Sequence, residues 1–317
     1  MNNKLQELLH LCQIENNTTL SSIKKTASQL PWWDNSDASK ELTIKTFVIQ
    51  NDIPCTPYYI NQNDGYGIAV LNCTTEKTFI PRIINWINQI ATNLDNVKIY
   101  NVFSGVVPTI QDLIDSNIYC LIGTGGNYNG RSTHASIMAY KAFLHDLHLY
   151  NKTNEKVIHM FAICASHQIL AESLGGNTIE NDKFEYALKS DYPTIRVNEH
   201  WRRIGLHSTE LNGEKMLFAQ YHINQINELS HDEVITANTI GHNNFCLNDV
   251  VEYRKNDKLL YFSMQGHPEK TPDFCLDELI KYKEKHDLND KLKTFIPENQ
   301  DYGVMIGVKI FKEFSTY

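Results

Sequence analysis

Stretches of consecutive apolar residues alternate along this chain with segments in which apolar residues recur every three or four positions. Residues 118–122, 157–163 and 259–264 are apolar along nearly their full length, which is typical of strands buried on both faces of a sheet. Residues 83–90 and 136–149 instead have the spacing of amphipathic helices. Strands that alternate with helices predict a doubly wound α/β fold, in which a mostly parallel sheet is flanked by helices.

The same patterns divide the chain into three parts. Residues 1–41 contain one short helical stripe and a polar stretch, and we interpret them as an N-terminal extension. Residues 42–284 form the predicted main domain, and residues 285–317 form a C-terminal helical extension. Between residues 180 and 251 the pattern is less regular and predicts antiparallel strands with a hairpin. Further strands are predicted over 43–49 and 98–103, and further helices over 108–113, 277–284 and 303–314.

Composition and charge narrow the classes of partner and location. The 29 Lys and Arg residues against 37 Asp and Glu residues give a net charge of −8, so nucleic acids and anionic membrane surfaces are not expected partners. The 7 cysteines are scattered without a C-x-x-C pair, which argues against a disulfide framework and against a structural zinc site. Because no stretch reaches the length of a membrane span and no apolar signal region is present, we expect a soluble, cytoplasmic protein.

Two histidines raise the question of a metal site. His145 and His148 lie three positions apart on a predicted helix, which would place both imidazoles on one face. A metal site needs further ligands at suitable spacing, and none is evident in the sequence. We therefore predict a surface or half-buried histidine pair, and we predict neither a metal nor a cofactor.

The apolar strand at residues 157–163 leads directly into Cys164, and residues 165–174 then have a helical pattern. A turn of this kind projects its side chain from the carboxyl edge of a parallel sheet, where open α/β folds bind ligands. The neighbours Ala162 and Ser166 are small, as a tight strand-to-helix turn requires. Since the positive end of the helix dipole favours a thiolate, Cys164 is a candidate nucleophile. The alternative is that Cys164 is a small buried hydrophobic residue.

A candidate base follows the apolar strand at residues 259–264. His267 and Glu269 are two residues apart, so in an extended segment both side chains point to the same side. Pro268 restricts the backbone around them. A thiol nucleophile needs an imidazole to accept its proton and a carboxylate to fix the imidazole tautomer, and this pair supplies both. The alternative is a surface loop with an incidental charged pair.

A glycine-rich loop at residues 123–130 follows the strand at 118–122 and offers backbone N–H groups at the same predicted edge of the sheet. We predict that the N–H groups of Gly126 and Ala165 form an oxyanion hole. The spacing of the glycines fits neither G-x-G-x-x-G nor a P-loop, so nucleotide binding is not expected. A plain turn is the alternative.

Together these segments resemble the class I glutamine amidotransferase superfamily. That family typically has a G-G loop after an early strand, the elbow G-x-C-x-G-H-Q followed by a helix, and a later H-P-E. The corresponding residues here are Gly125-Gly126, the elbow at residues 162–168 around Cys164, and His267-Pro268-Glu269, in the family order. The sequence from Met264 to Glu269 is most similar to the stand-alone branch that contains plant γ-glutamyl peptidases. The resemblance covers residues 42–284, which would then be the catalytic domain.

The resemblance implies a covalent mechanism. The Cys164 thiolate would attack a γ-glutamyl carbonyl, His267 would act as general base and then acid, and Glu269 would orient it. A γ-glutamyl thioester would form, and water or an amine would resolve it. The resemblance also implies substrate contacts from Gly125, Asn127, Gln168 and His222. For Gln168 a helix-packing role is the alternative, and for His222 an ordinary strand histidine is the alternative.

Three residues depart from the family pattern. Ala162 and Ser166 stand where the family has glycine, and Asn224 stands where relatives often carry an acidic residue. These departures leave a catalytically silent binding or regulatory relative as an alternative. Relatives deliver ammonia to a synthetase, and this sequence has no room for a synthetase domain. We therefore expect hydrolysis of a small-molecule γ-glutamyl substrate, or a separate acceptor or synthetase protein as partner.

Overall fold

The computed structural model describes eight segments of the chain, and every structural statement below refers to these residues. The segments are 67–74, 79–91, 97–126, 128–180, 203–222, 224–243, 246–270 and 302–315. The predicted N-terminal extension, the predicted strand at 43–49 and the predicted helix at 277–284 lie outside the described residues.

Strands and helices alternate through the first half of the described chain, and strands dominate the second half. The strands are β1 (Gly67–Cys73), β2 (Val97–Tyr100), β3 (Ile118–Gly126), β4 (His159–Ile163), β5 (Asn177–Glu180), β6 (Arg203–Leu211), β7 (Glu214–His222), β8 (Asn224–Glu228), β9 (Thr236–His242), β10 (Val250–Lys255) and β11 (Lys258–Met264). The α-helices are α1 (Phe79–Ile90), α2 (Ile110–Asp115), α3 (Ala135–Thr153), α4 (Ala165–Ser173) and α5 (Tyr302–Ser315). The helices predicted from periodicity in these segments therefore form, with small changes at their ends.

One large sheet holds nine of these strands, in the order β2-β1-β3-β4-β11-β10-β9-β6-β7. The pairs from β2 to β11 are parallel. The pairs from β11 to β7 are antiparallel, as the irregular pattern before residue 251 predicts. The remaining strands, β5 and β8, form a separate antiparallel pair. The parallel half, with its alternating helices, confirms the predicted doubly wound α/β architecture.

Helices cover both faces of the parallel half, as strands that are apolar on both faces require. On one face, Leu113 of α2, Leu144 of α3 and Ile169 of α4 belong to one buried cluster. On the other face, Ile87 of α1 and Ile310 of α5 belong to a second. Burying a side chain of this size stabilises the fold by about 1.5–3 kcal/mol, so both layers contribute to the stability of the sheet.

Helix α5 is an integral layer of this core. The indole Nε1 of Trp86 in α1 donates a hydrogen bond to the Gly303 carbonyl over 3.0 Å. Near the other end of α5, Glu313 Oε1 lies 2.8 Å from Arg254 Nη1 of β10. The described part of the C-terminal segment therefore completes the core, while the domain boundaries themselves stay predictions.

Two local differences separate the sequence pattern from the structure. The pattern does not predict β1, although all of its residues are buried. The strand predicted at 98–103 ends at Tyr100, because Val102–Ser104 form a 3-10 turn closed by Gly105 at φ 86°. Neither difference changes the order of the elements that carry the candidate site.

Two further findings concern membrane-spanning helices and the cysteines. Within the described segments, no helix is long and apolar enough to cross a membrane. The cysteines described there, Cys73, Cys120, Cys164 and Cys246, are buried and form no disulfide with one another.

Candidate active site

The candidate site lies where three neighbouring parallel strands end. In β3, β4 and β11, Gly123 pairs with Ala162, and Ala162 pairs with Ser263. Because parallel strands present their carboxyl ends at the same edge of the sheet, the residues that follow these three positions meet there. The glycine-rich loop, Cys164 and the His-Pro-Glu segment are therefore brought together by strand order.

Cys164 occupies the turn between β4 and α4 in a strained backbone conformation. Its φ is 50° and its ψ is −104°, which residues with a side chain rarely adopt. Such a conformation costs about 1–3 kcal/mol and persists only where the surroundings enforce it, commonly at functional sites. Here the N–H of Cys164 donates to the Met264 carbonyl of β11 over 2.8 Å. The main chain thus fixes the nucleophile candidate against the strand that leads to the base candidate.

His267 and Glu269 form the predicted pair. His267 Nδ1 lies 2.6 Å from Glu269 Oε1, and both side chains are buried. The backbone N–H of His267 donates to the Ala219 carbonyl of β7 over 2.8 Å. Gly303 of α5 packs directly against the Pro268 backbone from outside. The segment is therefore held by main-chain contacts from two other elements.

The surroundings of this pair favour a neutral imidazole beside an ionised carboxylate. Burial lowers the pKa of His267 below its ordinary 6.5, and the positive charges of Lys270 and Arg82 lower it further, against the opposing effect of Glu269. Burial acts to raise the pKa of Glu269, but its interactions with His267, together with the positive charge of Lys270 and a backbone hydrogen bond, keep that pKa below 4.5. In this state Nδ1–H donates to the carboxylate, and Nε2 is the atom that accepts a proton.

Gly125 adjoins both Cys164 and the imidazole of His267. A Cβ atom at Gly125 would lie 2.7 Å from His267 Cε1 and 3.4 Å from Cys164 Cβ. Both side chains therefore contact the same point of the glycine loop, and only glycine fits there without displacing the imidazole.

Two buried hydroxyl groups fix the peptide planes of the glycine loop. Thr124 Oγ1 accepts from the Cys73 N–H over 2.9 Å and donates to the Gly125 carbonyl over 2.9 Å. Ser166 Oγ donates to the Thr124 carbonyl over 2.7 Å. Because the C=O and N–H of a trans peptide point in opposite directions, these bonds also fix the directions of the Gly125 and Gly126 N–H groups.

Ser166 fits at a position where the resembling family carries glycine. Its side chain fills the space above Gly123, where a Cβ would lie 2.7 Å from Ser166 Cβ. Its hydroxyl also accepts from Tyr140 over 3.2 Å, besides the bond it donates to the loop. The departure from the family pattern is therefore accommodated within the elbow.

Gln168 faces the site from the first turns of α4. Its Nε2 donates to the Asn224 carbonyl over 2.7 Å and to Gln265 Oε1 over 2.9 Å. Its Oε1 is buried and has no hydrogen-bond partner among the described residues. Gln168 therefore has an acceptor atom to offer to a donor group.

His222 is linked to Gln168 through the Asn224 carbonyl. Its Nδ1 is 2.9 Å from the Asn224 carbonyl, and its Nε2 is 2.8 Å from Gln220 Oε1. Gln220 Nε2 in turn donates to the Asp249 carboxylate over 3.1 Å, which leaves Oε1 facing His222. Both ring nitrogens of His222 thus face acceptors, so His222 supports the carbonyl that binds Gln168.

The other predicted positions are placed as follows. Ala165 begins α4 directly after Cys164, and Gly126 ends β3 with its Cα against the Cys73 carbonyl. Asn127 lies outside the described residues. Within the described segments, no group of His, Cys, Asp and Glu could hold a metal ion. His148 instead lies 3.1 Å from Asp232 Oδ2.

The structure adds residues that sequence reasoning missed. Gln265 Nε2 lies 3.5 Å from Cys164 Sγ, and Thr124 holds the loop. A signal for Gln265 is present, since a polar amide directly follows an apolar strand and directly precedes the Gly-His-Pro-Glu sequence. For Thr124 the sequence offers no such signal, because its hydroxyl accepts from Cys73 of β1, which is 51 positions away.

Three solved structures resemble the chain at 12% identity. A protein assigned as part of a GMP synthase from Thermoplasma acidophilum aligns at a TM-score of 0.47 over 81% of this chain and 100% of its own, with 12% identity. A glutamine amidotransferase from Thermotoga maritima aligns at 0.44 over 80% and 96%, with 12% identity. A glutamine amidotransferase from Methylobacillus flagellatus aligns at 0.45 over 69% and 76%, with 12% identity.

Sequence comparison identifies the domain that carries the site. Among curated proteins, nothing matches the chain. The family model described as glutamine amidotransferase class-I matches residues 133–281, a range that contains Cys164, His267 and Glu269. Residues 133–281 of the chain therefore match the class I glutamine amidotransferase family, and both Cys164 and the His-Pro-Glu segment lie within this match.

Proposed function

We propose that this protein hydrolyses or transfers a γ-glutamyl amide through a thioester on Cys164, as in the stand-alone γ-glutamyl peptidase-like branch. One observation carries the proposal. Cys164, held at φ 50°, lies beside the ring of His267, whose Nδ1 is 2.6 Å from Glu269 Oε1. Acyl transfer requires a thiol nucleophile, a neutral imidazole as base and a carboxylate that fixes the imidazole tautomer.

The reaction proceeds in two half-reactions. His267 Nε2 takes the thiol proton, and the sulfur of Cys164 bonds to the γ-carbonyl carbon. The tetrahedral intermediate collapses, the C–N bond breaks, and His267 returns the proton to the leaving amine. Water or an acceptor amine then gives a proton to the same imidazole and attacks the thioester. The C–S bond breaks, the thiol regains its proton, and a γ-carboxylate or a new amide is released.

The glycine loop supplies the oxyanion hole in this proposal. The N–H groups of Gly126 and Ala165 bind the oxyanion as it forms. The bonds of Thr124 and Ser166 to the loop carbonyls support this role, because they hold the loop N–H groups in place before substrate arrives. Preorganised donors of this kind are each worth about 100- to 1,000-fold in rate.

Substrate binding falls to residues around the thiol. The buried Oε1 of Gln168 supports recognition of a hydrogen-bond donor, and the α-ammonium of a γ-glutamyl group is such a donor. Gly125 contributes backbone groups beside His267, at a position where a side chain would not fit. For Asn127, direct contact stays a prediction. His222 acts through the Asn224 carbonyl, which supports an indirect role in binding.

The leaving group determines which partner is needed. If the leaving group is ammonia, the protein serves as the glutaminase subunit of a separate synthetase. If the leaving group is an amino acid or peptide, the protein acts alone on a small molecule. In both cases a reducing, cytoplasmic location suits a catalytic thiol.

Glutamate release from glutamine and from a panel of γ-glutamyl peptides tests the proposal. We expect turnover of at least one substrate, lost in Cys164→Ala and in His267→Ala. Cys120→Ala is the matched control, because Cys120 is a buried thiol on β3 outside the site, and it should retain the wild-type rate per folded molecule.

The outcomes separate the alternatives. An unchanged rate in Cys164→Ala would exclude the thioester mechanism. A rate that rises on addition of an acceptor synthetase would identify a glutaminase subunit. No turnover, together with a Cys164 that does not react with a glutamine-like electrophile, would identify a catalytically silent relative.

A further inference from the structure

We propose that Gln265 is a catalytic residue that donates a hydrogen bond from its side-chain amide to the sulfur of Cys164 and so stabilises the attacking thiolate. This inference rests on the nucleophilic role of Cys164 proposed above. Gln265 follows β11, and its Nε2 lies 3.5 Å from Cys164 Sγ. That distance is within hydrogen-bond range for a sulfur acceptor, whose radius is larger than that of oxygen.

The hydrogen-bond chain around Gln265 determines which end of its amide faces the sulfur. The Asn224 backbone carbonyl can only accept, so the Gln168 atom 2.7 Å from it must be the donor Nε2. The same Nε2 lies 2.9 Å from the side chain of Gln265, which must therefore present its acceptor Oε1 there. The remaining end of the Gln265 amide, the donor Nε2, then faces Cys164.

The backbone of Gln265 is fixed as firmly as its side chain. Its N–H donates to the Asp249 carbonyl over 2.8 Å, and the preceding Met264 carbonyl accepts from the Cys164 N–H over 2.8 Å. Gln265 is fully buried, and Gln168 is 2% exposed. The amide donor is therefore held at the sulfur before any substrate binds. Because the Gln265 side chain is already ordered, no entropy cost of ordering it reduces the strength of the hydrogen bond.

Burial makes a donor at this position important for the nucleophile. A thiolate that leaves water loses its hydration. The pKa of Cys73, which lies close to the site, is raised to about 12, and burial is the largest cause of that rise. A hydrogen bond to a charged acceptor in a dry site is stronger than one between neutral groups. Together with the base, a fixed amide donor allows a buried thiol to act as a nucleophile near neutral pH.

The test is an ultraviolet titration of the thiolate in the full-length protein. Thiolate absorbance is recorded against pH for wild type and for Gln265→Met, which keeps the side-chain length but has no donor. Subtracting the same titration in the Cys164→Ala background isolates the signal of Cys164. We expect the midpoint to move to higher pH by about one unit, since a charge-assisted hydrogen bond is lost.

Gln265→Glu replaces the donor by a carboxylate of the same size, and it should move the midpoint further in the same direction. It also serves as the test if Gln265→Met does not fold. Gln89→Met, the same change on the exposed face of α1, is the matched control and should leave the midpoint unchanged. Unchanged midpoints in folded Gln265→Met or Gln265→Glu would overturn the inference.

Because this titration needs no γ-glutamyl substrate, the two proposals fail separately. A shifted midpoint without turnover of any substrate would support the role of Gln265 and count against the proposed function. Turnover lost in Cys164→Ala, with a midpoint that Gln265→Met leaves unchanged, would support the proposed function and overturn the role of Gln265.

Discussion

One added methyl group at Gly125 tests whether the glycine loop, the thiol and the imidazole form one tightly packed unit. The new Cβ would lie 2.7 Å from His267 Cε1, whereas carbon atoms in contact lie about 3.5–4.0 Å apart, so the imidazole must move by roughly 1 Å. The ring is buried and bound to Glu269, so it cannot rotate away without breaking that bond. A displacement of about 1 Å at reacting groups costs about 100-fold in rate, and we expect this loss in kcat/KM for Gly125→Ala.

Glutamate release, normalised to folded protein, measures this effect. Normalisation matters because overpacking also costs about 1–3 kcal/mol of stability. Gly213→Ala is the control: Gly213 has φ 82°, so a Cβ strains the backbone there, but no atom lies within 4 Å of it. We expect Gly213→Ala to lower the melting temperature and leave kcat/KM unchanged. An imidazole shift of about 1 Å should cost about 100-fold in kcat/KM. If Gly125→Ala kept more than about a tenth of the wild-type kcat/KM, the packing argument would be refuted.

Three further predictions follow from buried polar groups. Thr124→Val removes the hydroxyl that holds the Gly125 carbonyl, so we expect kcat to fall by about 10- to 100-fold. Thr124→Ser keeps the hydroxyl and should keep most of kcat. Equal losses of kcat in the two variants, measured in steady-state assays, would contradict this prediction. Because the pKa of His267 lies below 6.5, its neutral, proton-accepting form persists in mild acid. The acid limb of the profile of kcat/KM against pH should therefore have its midpoint below pH 6.5. A midpoint above pH 6.5 would be evidence against His267 as the base. Burial lowers the pKa of His159 from 6.5 to about 4, so between these values the unfolded chain binds a proton that the folded chain does not. The free energy of unfolding should therefore fall as pH drops through this window, by up to about 3 kcal/mol, and urea unfolding of His159→Gln should show a weaker dependence.

Local patterns are sufficient to predict the parts of the site that lie within one element. The apolar strand before Cys164 and the helical pattern after it indicate the turn that carries the thiol. The spacing of His267 and Glu269 indicates that the two side chains point the same way, and the structure places them 2.6 Å apart. In each case the interacting residues are close in sequence, so their relation depends on local backbone geometry.

Contacts between distant residues could not be predicted in the same way. Thr124 binds Cys73, 51 positions away, and Gln265 reaches Cys164 across 101 positions. These contacts depend on the order of strands in the sheet, which periodicity does not determine. The hydrophobic pattern also does not predict strand β1, because its sequence, GIAVLNC, includes glycine and asparagine, which are poor strand formers.

The position of β11 in the sheet has a consequence for how the site is assembled during synthesis. A chain emerges from the ribosome with its N-terminal part first, so Cys164 appears about a hundred residues before Gln265 and His267. Only when β11 pairs with β4 does the Met264 carbonyl receive the Cys164 N–H. Helix α5, which supports Pro268, is made later still. An unfinished chain therefore carries Cys164 without these neighbours, and the same strand pairing that closes the sheet brings together the residues of the proposed active site.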